Sequence, residues 1–249
     1  MKFAMKPLMV AAAFVAAGST HATSITLPAN GTAVAAGYTL SELSGTDTLT
    51  FSSALIGALN AGKVQIAGVD PATTAVTYKT NAATKVVSIS TASAAAPVTS
   101  LTADVVGTGL AVTGAGTVGG SLQSATSANI ATTGGSLKIV NLSVDLLAKK
   151  VYADLIGGNG VGTHNNVWLW DITTITGPTT LDLSLVPAGG GVVSITNTRS
   201  GLTINQAAFD LFATSMGLTA NGITSLKTVT DFGTIVSTIS VKAAPAVPE

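Results

Sequence analysis

The sequence predicts a mainly β protein, an antiparallel β-sandwich or barrel-like domain with one or two short accessory helices. Three observations carry that reading. The first is alternation. In residues 134–174 (GGSLKIVNLSVDLLAKKVYADLIGGNGVGTHNNVWLWDITT), Val140, Leu142, Val144 and Leu146 alternate with Asn141, Ser143 and Asp145. A period of two describes a strand with one face buried and one face wet. The second is punctuation. Val151, Ala153 and Leu155 resume the alternation just after Ala148-Lys149, the spacing of a hairpin, and a Gly/Asn-rich loop separates them from a third strand at 167–173. The third is composition. Hydrophobic residues make up 47% of the chain and charged residues only 9%, the reverse of a disordered chain, so it folds and buries a sizeable core.

In order, residues 24–27 and 47–51 (DTLTF) read as strands. Ser53 stands where it can cap a short helix over 54–59, which Asn60-Ala61-Gly62 ends. Strands follow at 63–67, 75–80 and 85–90, with Asp70-Pro71 and Asn81 as turns, then at 98–106 and 110–113. The glycine-rich passage 114–133 holds at most an edge strand, and a break there would divide the domain (23–242) into two stacked subdomains. Leu181, Leu183 and Leu185 alternate with Asp182 and Ser184, and 192–196 is expected to pair with them across Pro187–Gly191. Thr203 precedes Gln206 by three, the spacing of a capping box. A helix is therefore expected from there to Gly217, whose left-handed geometry would close it with a contact from Leu218. The last strand is 233–241, followed by a tail at 243–249.

Residues 1–22 read as a secretory signal peptide. Lys2 and Lys6 precede an apolar run at 8–17, and Thr20-His21-Ala22 places small residues at and two before a cut between Ala22 and Thr23. The run is about half of the roughly 20 residues that a span requires, so no transmembrane segment is expected in the mature chain. Without Lys2 and Lys6, nine basic residues face eleven acidic ones, and Arg199 is the only arginine. Nothing in that balance could neutralise a run of phosphates, so nucleic acid is not expected as a partner. The chain has no cysteine, hence no disulfide and no thiol chemistry.

Two resemblances follow from quoted stretches. SSALIGALNAGKVQIAGVDPAT, GGSLKIVNLSVDLLAKKVYADL, WLWDI and LTINQAAFDLFATSMGL occur in an order that resembles the layout of secreted Htaa-type haem-binding domains over residues 49–241. That resemblance implies haem held by a tyrosine with a supporting histidine. Where a histidine commonly precedes the Gly-Gly pair of the central strand, this chain has Thr133 before Gly134-Gly135. The C-terminal AAPAVPE ends in Val247-Pro248-Glu249, which resembles the opening of the PEP-CTERM sorting signal. The proline, apolar span and basic tail that continue that signal are not in the sequence. This likeness implies export by a Gram-negative bacterium to its surface or matrix, in association with exopolysaccharide or biofilm.

Reactive groups are few. After cleavage His164 is the only histidine, so a Ser/His/Asp arrangement would need it, with Asp154 or Asp171 as orienting acid. No Gly-x-Ser-x-Gly pattern marks a nucleophile. Zinc lacks ligands, and no Asp-x-Asp-x-Asp-Gly loop offers calcium a site. Asp171 and Asp182 are the conceivable carboxylate pair of a glycosidase. Trp168 and Trp170, at i and i+2, are expected on one face, either as core or as a stacking platform with His164 and Asn165 at its edge and Tyr152 beside it. The expectation is a non-catalytic secreted or cell-surface matrix protein without a cofactor, whose partners are extracellular polysaccharide or other surface proteins. A haem- or carbohydrate-binding module is the alternative, and a secreted hydrolase the least favoured.

Overall fold

The computed structural model describes residues 23–128 and 131–247. The expected signal peptide, the Ala22 side of its cleavage point, and Pro248 and Glu249 of the sorting motif lie outside the described residues. Fourteen strands build one antiparallel sheet: β1 Ser24–Pro28, β2 Ala33–Ala35, β3 Tyr38–Phe51, β4 Gln65–Val69, β5 Thr73–Thr80, β6 Val87–Val106, β7 Gly109–Thr117, β8 Gly120–Ala128, β9 Ala131–Asp145, β10 Lys150–Gly157, β11 Gly162–Thr176, β12 Thr180–Asp182, β13 Gly191–Ile204 and β14 Gly233–Pro245. Among the described residues three helices accompany them: α1 Ser53–Ala61, α2 Gln206–Ser215 and α3 Ala220–Lys227.

Eight of the strands close on themselves. The hydrogen-bonded order β7-β6-β3-β14-β13-β11-β10-β9 returns to β7 through the pairs Gly114↔Asp145, Ala115↔Val144 and Gly116↔Ser143. An eight-stranded barrel leaves an interior that side chains can fill. Here the filling is Leu101, Leu137, Val151, Leu155, Ile235 and Ile239 among others, all buried. The expected alternation is what aims them inward. β7 reaches only the second halves of β6 and β9. Towards their first halves the wall is made up by β5 on β6 and by β8 on β9, with β4 outside β8.

The helices gather where β3 ends and β14 begins. Ser52 caps α1, its hydroxyl accepting from the Leu55 amide at 3.0 Å. Asn60 then ties α1 to β6 by two hydrogen bonds with the backbone of Ile89. Leu55 and Leu59 of α1 and Phe212 of α2 turn inward beside Phe232, closing this end.

Several expectations need correction. Thr203 does not cap α2; it lies in β13, opposite Asp171. Asn205 is the cap, accepting from the Ala207 amide at 2.9 Å, and Gln206 reaches forward to Asp210 at 2.7 Å. Gly217 does adopt the left-handed conformation, and Leu218 N–H returns to the Ala213 carbonyl. Leu181–Leu185 is not one strand: β12 is followed by a 3-10 turn at Leu183–Leu185, with Asp182 accepting from the Ser184 amide. β12 pairs with β7, and residues 192–196 pair with β14 instead. Residues 87–90 of the expected strand 85–90 and residues 98–106 are parts of one strand, β6, joined by a run of alanines too small to show an apolar alternation, while Lys85 and Val86 precede it. Pro97 sits where β6 exchanges one set of neighbours for another, so its missing N–H is least needed there. The passage 114–133 supplies β8 and parts of β7 and β9 rather than one edge strand.

Candidate functional site

The chemistry-bearing residues are inside the barrel. Asp47 of β3, Ser237 of β14 and Asn197 of β13 stand opposite one another in register. All three point inward, as does Arg199, two residues further along β13. Arg199 is 0% exposed and Asp47 2%. The Arg199 Nη1 lies 3.6 Å from Asp47 Oδ2, an ion pair longer than a hydrogen bond. Ser237 donates its hydroxyl to Asp47 Oδ1, and Asn197 Nδ2 donates to the Pro178 carbonyl at 3.3 Å. Burial raises the Asp47 carboxyl above its ordinary range, and the Arg199 charge and the Ser237 hydroxyl only partly oppose that shift. Burial likewise lowers the guanidinium's, against the pull of Asp47.

These residues carried a signal in the sequence. Asp47 shares its parity with Leu49 and Phe51. Asn197 and Arg199 continue the inward parity of Val193 and Ile195. The lone arginine falls on a core position.

Toward the helices, a cavity of about 40 Å³ opens from Asp47 to Phe212. Most of its lining is apolar, including Leu142, Leu169 and Phe232, and its polar members include Gln123, Ser121 and Trp170. Gln123 Nε2 donates to Ser121 Oγ at 2.8 Å.

Trp168 and Trp170 do not share a face. The register between β10 and β11 shifts so that Tyr152 opposes Trp168 while Val151 opposes Trp170. This bulge turns two consecutive residues, Leu169 and Trp170, into the core, and a bulge is how a strand re-aims one side chain. Trp170 is 2% exposed, its ring 6.3 Å from that of Phe232. Trp168 stays on the outer wall, half-buried beside Tyr152, with the Lys150 ammonium 3.5 Å from its ring centroid. His164 and Asn165 are exposed further along β11, toward the β10–β11 turn. The five residues expected around one ligand are therefore divided between the outer wall, the core and that exposed arm.

No triad assembles around His164. Its Nε2 is 3.2 Å from the Val161 carbonyl, while the Asp154 carboxylate accepts from Asn141 Nδ2 and from the Asn166 amide. Asp171 pairs across to Lys150 and Thr203, whereas Asp182 lies on β12 against β7. Thr133, at the position of the expected haem-domain histidine, bonds Asn159. Among the described residues no group of three or more His, Asp or Glu could hold a metal ion. No described helix is long and apolar enough to cross a membrane.

The outer wall presents hydroxyls in rows. Ser44, Ser240 and Ser194 stand side by side across β3, β14 and β13, and Thr46, Thr238 and Thr196 form the next row. Ser194 and Ser240 hydrogen-bond at 2.7 Å, Thr196 and Thr238 at 3.1 Å.

Comparison of the chain with protein-family models, curated proteins and solved structures finds no match.

Proposed function

We propose that this is a non-catalytic secreted or cell-surface protein of a bacterial matrix, engaging neutral extracellular polysaccharide with its outer wall. The observation that carries the reading is the ordered hydroxyl surface of β3, β14 and β13. Each Ser or Thr there both donates and accepts, as a sugar hydroxyl does. The charged side chains of that wall, Glu42 and Lys242, pair with each other at 2.6 Å, so contact with a neutral polymer strips few ions of water. Tyr152 and Trp168, paired across β10 and β11, add an aromatic patch, with the Trp168 Nε1 buried and its ring beside the Lys150 ammonium. The export signal and sorting-motif likeness of the sequence agree with such a location.

The test is retention of the purified protein on insoluble neutral glucans and on matrix polysaccharide from a Gram-negative biofilm. Retention is expected to fall several-fold in Trp168→Ala and to persist in high salt. A protein that washes through both materials, or elutes with modest salt, would remove the proposal.

A further inference from the structure

Three buried polar atoms around the interior cavity have no hydrogen-bond partner in the protein: Asp47 Oδ2, whose ion pair with Arg199 is longer than a hydrogen bond, Gln123 Oε1 and Trp170 Nε1. Their chemistry is complementary. The carboxylate and amide oxygens accept, and the indole N–H can only donate. Buried polar groups are rarely left without a partner, because the loss of hydration is not recovered. Gln123 donates from its Nε2 to Ser121 Oγ at 2.8 Å, which leaves its Oε1 as the atom without a partner.

We propose that the barrel interior beneath the helices binds one small, uncharged, hydrogen-bonding molecule of the size of water, between Asp47, Gln123 and Trp170. Size and charge select the occupant. The cavity of about 40 Å³ exceeds the roughly 10–15 Å³ needed to hold a water and falls well below the roughly 150 Å³ that takes an aromatic ring. A cation would face the Trp170 N–H donor with Arg199 close behind Asp47. An anion would face the Asp47 carboxylate. A water donates one hydrogen to Asp47 and one to Gln123 and accepts from Trp170. Those are about three bonds, the usual complement of a buried water. Phe212, Leu55 and Leu59 close the cavity toward the helices, so the occupant exchanges slowly with bulk solvent.

The two tryptophans make the test tractable. They give two indole N–H resonances, and Trp170→Phe assigns the inner one by its loss. The expected result is a cross-peak between the Trp170 indole proton and water, with the sign of a long-lived complex, together with slow exchange of that proton. Gln123→Met, which removes one acceptor, is expected to weaken the cross-peak several-fold and leave the Trp168 resonance in place. If that variant does not fold, the wild-type spectrum decides. Cross-peaks from the Trp170 indole proton to side chains of Gln123 or Asp47 with none to water would overturn the proposal. So would exchange of that proton at the bulk rate.

Discussion

Arg199 and Asp47 illustrate how a buried pair acts at the scale of single residues. Taking two charges from water costs several kcal/mol per ion, so such a pair contributes little net stability, yet removing one partner leaves the other uncompensated. Arg199→Met is expected to destabilise the fold by about 3–5 kcal/mol. The double variant Asp47→Leu/Arg199→Met should recover most of that loss, as read from urea midpoints. A single variant as stable as the wild type would show that solvent reaches the pair. The same carboxyl sets a pH dependence. Its folded-state pKa is raised above the ordinary 3.8, so the native state binds more protons than the unfolded one above that pH. Its contribution is therefore full below about pH 3.8 and is lost as pH rises through the folded value. The exposed Asp182, lowered by its bonds from Ser184, acts in the opposite sense. Subtracting the pH profile of Asp47→Asn from that of the wild type isolates the Asp47 part, which should slope downward with pH. A flat difference would contradict it.

At the scale of elements, caps and a bulge decide what alternation alone leaves open. Asn205→Ala is expected to cost about 0.5–2 kcal/mol by removing the bond to the Ala207 amide. Thr203→Ala, on the outer face of β13, should stay within about 0.5 kcal/mol. Equal losses at the two positions would argue against this helix start. The β10–β11 bulge gives the tryptophans different environments. Trp170→Ala is expected to cost about 3–5 kcal/mol as a large-to-small core change. In Trp170→Phe the remaining emission, from Trp168, should be red-shifted and quenched by acrylamide. In Trp168→Phe it should be blue-shifted and resist quenching. Two equally quenched rings would mean that the bulge does not form.

For the whole molecule, the weak point is closure. Most neighbouring strands of the ring share long ladders, but β7 and β9 meet over only three residue pairs. Two of the β7 residues there are glycines, and a Cβ on Gly114 would stand 2.9 Å from the Val144 carbonyl oxygen. Small residues let the strands approach, and the seam is where the barrel should open first. Hydrogen exchange is expected to be faster at residues 114–116 and 143–145 than along β13 and β14. Gly114→Val should lower the denaturation midpoint and raise exchange on both sides of the seam. An unchanged midpoint would mean that the ring does not depend on this contact.

What the sequence determined by itself is local. Alternation from Leu142 to Leu155 set the β9–β10 hairpin and its inward face, because side-chain parity in a strand is fixed by backbone geometry, whereas Val140, beyond the positive φ of Asn141, stands opposite Asp154 and leaves the inward place to Ile139. Ser, Asn and Gly near the helix ends announced the regions of α1 and α2, although the α2 cap was off by two residues, and α3 was not announced. The inward Asp47 and Arg199 were readable too, by parity with Leu49 and Ile195, but a charged residue at a core position runs against its hydration and is easily assigned to the surface. Only the tertiary structure decided the rest. Which strand pairs with which depends on contacts between segments far apart in the chain, as with β14 taking both β3 and β13. The bulge that separates Trp168 from Trp170 arises from the register of β10 against β11, which neither strand specifies alone. The closed ring, and with it an interior cavity lined by polar atoms without hydrogen-bond partners, exists only once β7 reaches β9.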